Sequence, residues 1–356
     1  MLEAIENSRE GGSLRSSSST VKEPSSSEGY RGCHMTVIGG DRRGHDQPKV
    51  ARLHSESKRA GGRLLLTNTR RQEPMTVTEE SEVREANEQF IGAATQLCAN
   101  FPGAELVHMP GLIAAWRNTP IPISNSIFLS KPVTDEHDLE QRIGYLADYI
   151  SRKVKPPEFL VCQEWIPESL REAADAQIVE AGLAASATIT GMAADGLLPA
   201  TRRFDVPLEW RRVADETTRR DFADTNSAAY GFPVECEREA LGTPQMWSDD
   251  RLAGYVAYLD DWKPVAAAAA MPLNGKIHVL CVATRPKHQR QGLADRTIRY
   301  ALDQMGDRTG LTRTTLSATE AGLPAYARMG YHETATFIVY TRDGRSGESE
   351  PRINSQ

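Results

Sequence analysis

With 356 residues, 39% of them hydrophobic, and a formal charge of −6, the chain is long enough for two domains of ordinary size. The mild acidity argues against a protein whose main partner is nucleic acid, since tracking a phosphate backbone calls for a basic field. No apolar run is long enough to cross a bilayer and the N-terminus lacks a secretory apolar core, so a cytoplasmic protein with no membrane partner is expected.

Residues 1–74 differ in texture from the rest. They hold a Ser-rich tract, "SLRSSSSTVKEPSSSEG", and carry 13 Lys or Arg against 9 Asp or Glu, leaving 29 against 39 in the remainder. That break predicts a disordered leader. Met75 opens the first orderly stretch and is a candidate alternative translation start. Cys33, Cys98, Cys162, Cys236 and Cys281 are widely spaced and odd in number. No pair has metal-ligand spacing, so they read as small buried apolar groups and no metal is expected.

A first folded unit is predicted over 82–198. Residues 83–99 have helical texture, and "DEHDLEQRIGYLADYISRK" places Leu139, Ile143, Leu146 and Ile150 on one stripe. "PEFLVCQEW" reads as a buried strand. "PESLREAADAQIVEAGL" reads as a helix with Ser169 near its start and Gly182 near its end. "ATITGMAAD" reads as another strand. This half has no Gly-rich anion loop, and His108 and His137 stand alone in it.

A second unit is predicted over 204–342, followed by a polar tail at 343–356. "DETTRRDFADTNSAAYG" and "WSDDRLAGYVAYLDD" read as helices, and "KPVAAAAAMPL" and "GKIHVLCVAT" as strands joined at Asn274-Gly275. Ala prefers helix, but Pro264 and Pro272 bracket the Ala run and argue for a strand. A strand "TRTTLSA", a short helix with Tyr326 and a strand "ETATFIVY" complete the unit.

Between "VLCVAT" and the helix that follows lies "RPKHQRQGLAD", residues 285–295. A glycine there permits backbone angles that a side chain obstructs, and the next helix offers unpaired N–H groups at the positive end of its dipole. The N–H groups from Arg290 through Asp295 therefore form a candidate phosphate cradle, rimmed by Lys287 and Arg290; a plain structural turn is the alternative. Neither the Walker loop nor the dinucleotide fingerprint matches its glycine spacing.

Gln289-Arg290-Gln291-Gly292-Leu293-Ala294 resembles the acyl-CoA-binding pattern Gln/Arg-x-x-Gly-x-Gly/Ala of the GNAT acetyltransferases. "VLCVATRP" before it is similar to that family's central strand, and "SATEAGLPAYARMGY" after it to the family's second conserved element. The likeness covers 204–340, and 82–198 resembles the degenerate first half of tandem members. Thr319 departs from a frequent Asn, and Ala294 from a frequent Gly.

The resemblance implies an α/β (α+β) fold, a mixed twisted sheet flanked by helices, in two such units. It further implies N-acyl transfer from acetyl-CoA to a primary amine of a small molecule in a ternary complex. A non-catalytic acyl-CoA sensor on the same scaffold is the alternative. Val282, Ala283 and Thr284 would pair with the pantetheine arm, and Gln289, Arg290, Gln291, Gly292, Leu293, Ala294 and Asp295 would hold the pyrophosphate. A backbone N–H near Val282 would face the thioester oxygen, as in an oxyanion hole. Tyr326 is the candidate acid for the leaving thiolate. For the base, His278 is the leading candidate, with Glu235, Glu320 and water as alternatives. A Cys281–His278 nucleophilic pair is disfavoured, because simple strand alternation sends the two to opposite faces.

Overall fold

Thr76 and Glu79 cap the first helix reciprocally. The Glu79 N–H donates to Thr76 Oγ1 at 3.3 Å, and the Thr76 N–H to Glu79 Oε2 at 2.7 Å. This box starts helix α1 at Val77, six residues before the predicted start, and carries it to Cys98 (Val77–Cys98). The computed structural model describes residues 75–200, 207–259 and 262–342. The predicted leader and tail lie outside the described residues.

The chain then forms strands β1 (Glu105–Met109), β2 (Leu112–Trp116) and β3 (Asn125–Leu129). Helix α2 (Glu136–Ser151) is capped by Asp135, which accepts the Asp138 N–H at 2.9 Å. Its predicted stripe of Leu139, Ile143, Leu146 and Ile150 is buried. Strand β4 (Glu158–Cys162), helix α3 (Arg171–Glu180) and strand β5 (Leu183–Ala194) follow. Ser169 makes no cap, whereas Gly182 turns the chain with φ +88°.

The second half runs β6 (Glu209–Arg212), α4 (Glu216–Tyr230), α5 (Val234–Leu241), β7 (Ala253–Leu259), β8 (Lys263–Leu273) and β9 (Lys276–Thr284). It ends with α6 (Leu293–Thr309), β10 (Thr314–Thr319), α7 (Leu323–Met329) and β11 (His332–Arg342). One predicted helix is corrected: within "WSDDRLAGYVAYLDD", Ala253–Leu259 is strand β7, paired with both β6 and β8. Helices cover both faces of this strand, so its buried run lacks the period-2 alternation that marks a half-exposed strand. The Ala run of β8 is a strand, with Ala266 through Ala270 at 0% exposure. Small side chains there let α6 on one face and α4 on the other pack closely.

Among the described residues, eleven strands form one mixed sheet, in the order β1-β2-β3-β4-β11-β5-β10-β9-β8-β7-β6. The two halves trace the same path. β1-β2-β3 is an antiparallel meander, α2 crosses over to a parallel β4, and α3 leads to β5. Likewise β7-β8-β9 is a meander, α6 crosses to a parallel β10, and α7 leads to β11. The last strands are exchanged. β5 lies beside β10 of the second half, β11 lies beside β4 of the first, and β5 and β11 pair with each other at the centre.

Helix α1 seals this junction, with Phe90 edge-to-face against Phe128 of β3 at 5.4 Å and Phe337 of β11 at 5.2 Å. Glu82 and Glu85 on the same helix meet Arg313, and Glu82 also meets His332 at 2.8 Å.

Candidate active site

Strands β9 and β10 pair in parallel at only three positions, from Thr314–Ile277 to Leu316–Val279. Beyond Val279 the two strands part. The parting coincides with a bulge in β9, where the register against β8 shifts between Ala269–Leu280 and Ala267–Ala283. Cys281 sits in this bulge in a left-handed conformation, φ +51°, which costs a non-glycine residue about 1 kcal/mol. The result is a gap whose wall is formed by Val282 and Thr284, both partly exposed, with Ala283 buried behind them.

At the far end of this wall, Pro286–His288 makes one turn of 3-10 helix and Arg290 and Gly292 both take positive φ, +62° and +75°. Gly292 is the N-cap of α6 and no side chain caps this end, so the first-turn N–H groups point outward without an intrahelical partner. Gln289 Nε2 donates to the Thr284 carbonyl at 3.2 Å and Gln291 Nε2 to the Lys287 carbonyl at 3.3 Å. The two glutamines thus brace the loop. Asp295 is tied to Arg299 at 2.5 Å, which offsets its negative charge near the cradle. Leu293, Ile298, Ala301, Leu302 and Met305 anchor the helix in the core; Ala294 is partly buried.

Tyr326 is on α7. Its ring meets Tyr331 edge-on at 5.9 Å, and Gly322 leaves it room, since a Cβ there would lie 2.9 Å from the ring. Burial pushes the phenol up to about 12, so the hydroxyl stays protonated, as a proton donor must. Tyr230 at the end of α4 donates its hydroxyl to the Val282 carbonyl at 2.5 Å. Tyr230 keeps 45% of its surface open. Even so, burial and then Tyr326, Cys281 and Glu237 together hold its phenol above the usual range.

The base candidates fall in different places. His278 is 4% exposed, with Nδ1 3.0 Å from Thr315 Oγ1 of β10, and burial lowers it to about 4, so the ring is neutral. Glu235 and Glu320 are exposed. Glu237, which the sequence reading missed, is 5% exposed on α5. Burial raises its carboxyl to about 7, against a lowering influence of Arg117. The available signal was a carboxylate on the same helical stripe as buried Ala240 and Leu241.

Alternation also misplaces Cys281. The bulge adds a residue, so Cys281 joins the same cluster as Leu280, on the face that His278 shares. The thiol is pushed up to about 12 by burial and then by Glu237, and so stays protonated and unsuited to nucleophilic attack.

Among the described residues no group of three or more His, Cys, Asp or Glu is placed to hold a metal ion, and no helix is long and apolar enough to cross a membrane. No curated protein matches the sequence. In fold, the chain is similar to a GCN5-related N-acetyltransferase from Kribbella flavida, at 18% identity and TM-score 0.54, over 73% of this chain and 95% of that one. A functionally unknown conserved protein from Staphylococcus epidermidis aligns at 15% identity and TM-score 0.49, over 67% and 94%. A GCN5-related N-acetyltransferase from Sphaerobacter thermophilus aligns at 15% and 0.47, over 76% and 94%. The sequence model of the acetyltransferase (GNAT) family matches residues 209–331, from the start of β6 to just beyond α7. Residues 209–331 are a domain of the acetyltransferase (GNAT) family.

Proposed function

We propose that the second half transfers an acyl group, acetyl in the first instance, from acyl-CoA to a primary amine of a small molecule. The observation that carries this reading is the parting of β9 from β10 beyond Val279 and Leu316, at a bulge and beside an uncapped helix N-terminus. A gap between strands leaves unpaired peptide groups for an extended pantetheine arm, and the Gly292 turn offers N–H groups to its pyrophosphate. Val282, Ala283 and Thr284 line the arm; Gln289 through Asp295 form the cradle.

Both substrates held in register supply proximity, without a covalent enzyme intermediate. The amine attacks the thioester carbon, the C–S bond breaks, and the departing thiolate takes a proton from Tyr326. The phenol recovers that proton from the nitrogen of the new amide through water.

The division into units 82–198 and 204–342 belongs to the same reading, with the first unit taking no nucleotide. Its equivalent of the Gly292 turn is closed by the Asp135 carboxylate, with Glu136 and Asp138 in the first turn. Three carboxylates at that helix end repel a phosphate. A cytoplasmic setting suits the acyl-CoA donor and the free thiols of Cys98, Cys162 and Cys281.

Release of free CoA from acetyl-CoA in the presence of primary amines tests the proposal. Tyr326→Phe is expected to lower the rate about 100-fold while the protein remains folded. Acetyl-CoA binding without CoA release for any amine would instead favour the sensor reading.

A further inference from the structure

Resting on the transferase reading above, we infer that Glu237 receives the acceptor: its carboxylate holds the ammonium group of the incoming amine beside the β9 bulge and takes its proton before attack. The cleft between α5, the end of α4 and Cys281 is the acceptor site. It takes a small primary amine with an apolar body and no carboxylate next to the nitrogen.

Four observations support this assignment. First, Glu237 is buried on the packed face of α5, one turn before Ala240, and its carboxylate has neither a hydrogen bond nor an ion pair among the described residues. A buried carboxylate without a partner is costly, and a leucine would serve the core better there. Second, the natural counter-ion is committed elsewhere. Arg117, which follows β2, donates to the Ala240 carbonyl at 3.3 Å and to Ser124 Oγ, approaches Met246 Sδ at 3.7 Å and lies over the ring of Phe101. It lends Glu237 positive potential without pairing with it. A cation from outside is the missing partner.

Third, the helix that carries Glu237 packs on the β9 bulge: Cys236, Ala240 and Leu241 of α5 share a cluster with Leu280 and Cys281. The titratable groups around it are Cys281 in the bulge, Tyr230 at the end of α4 with Tyr326 behind it, and Arg117 with Cys98 beside it. Tyr230 is bonded to the Val282 carbonyl in the gap wall, which sets the end of α4 against the gap. Fourth, the remaining walls are apolar: Leu280, Phe232 and Cys236 pack in the cluster that includes Leu241 and Cys281. With Arg117 committed to Ala240 and Ser124, no other cation among the described residues joins this cluster to answer a carboxylate on the acceptor.

The protons balance. A primary ammonium carries three on nitrogen: one passes to Glu237 and on to solvent, one ends on the CoA thiol by way of Tyr326, and one remains on the amide. Because the Glu237 carboxyl is raised to about 7, it is available as a base above that pH and lost as a base below it.

The test uses the full chain, acetyl-CoA, and a panel of primary amines headed by phenethylamine, with phenylalanine as its carboxylate-bearing counterpart. Glu237→Gln preserves shape and should lower kcat/KM for the amine about 100-fold at pH 7.5, while the calorimetric Kd for acetyl-CoA changes less than about twofold. The acid limb near pH 7 in the wild-type profile should vanish in Glu237→Gln and be partly restored in Glu237→Asp. Turnover by Glu237→Gln within about threefold of wild type, with the acid limb intact, overturns the role of Glu237 and leaves the transferase reading standing. Equal use of phenylalanine and phenethylamine overturns the acceptor class. No turnover by wild type with any amine removes the transferase reading and this assignment together.

Discussion

Glu158 on β4 is 2% exposed, and its carboxylate accepts from Ser126 Oγ at 3.3 Å. Burial raises its carboxyl to about 7 in the folded chain, above the ordinary carboxylate value that it regains on unfolding. The folded state therefore binds the extra proton, so stability is full below about pH 4.5 and is lost as pH rises through about 7. Glu158→Gln is expected to be neutral at pH 4 and to stabilise by roughly 3 kcal/mol at pH 8, read from denaturant midpoints at the two pH values. His278 works in the opposite direction. Its folded value of about 4 lies below the unfolded one, so its contribution is lost as pH falls from about 6.5 toward 4. His278→Gln should flatten that acid-side loss and leave any acid limb in activity near pH 7 in place. At this scale the Gly292 turn before α6 and the short helix that holds Tyr326 were legible as structure, because a turn glycine and a short bracketed segment announce themselves locally. Glu237 was not, because its burial depends on how α5 docks, and Cys281 was misplaced because alternation cannot foresee a bulge.

Among the elements, those with a strong period or a turn signal were read well: the Leu139 to Ile150 stripe, helix α4 within "DETTRRDFADTNSAAYG", and the Asn274-Gly275 hairpin, with φ +49° and +76°. The short strands β1, β2, β3 and β6, of four or five residues, and the eight-residue helix α5 were not separated from loop. β2 and β3 are buried throughout, and a fully buried run of that length has no period to read. Strand β7 was taken for a helix for the same reason. Its Gly254 shows how tightly it is covered: a Cβ would lie 2.3 Å from the Trp247 ring and 3.0 Å from Val213. Gly254→Ala should therefore destabilise the fold by about 1–3 kcal/mol, measured as a lower urea midpoint with an unchanged slope. Gly182→Ala, where a Cβ meets nothing but φ is +88°, isolates the backbone contribution and should cost about 1 kcal/mol.

At the scale of the whole molecule, the exchanged strands β5 and β11 make the two halves one folding unit, since each half completes the other's sheet. No periodicity in the sequence reports such an exchange, because both strands read alike whichever partner they take. A chain ending at Tyr331 would lose β11 and leave β4 and β5 with open edges. It should not unfold cooperatively, as followed by circular dichroism on heating. The arrangement also holds the β9–β10 gap open, because β10 is fixed on its other side by six paired positions with β5. The central claim is that this gap and the Gly292 turn bind acyl-CoA. It is tested most directly by calorimetric titration of acetyl-CoA into the full chain and into Gly292→Glu, which adds a negative charge and a side chain at φ +75°. Saturable binding by the wild type, abolished in a variant that melts at a similar temperature, is the expected result. A folded wild type that binds neither acetyl-CoA nor a longer acyl-CoA, or a variant that binds as well as its parent, would contradict it.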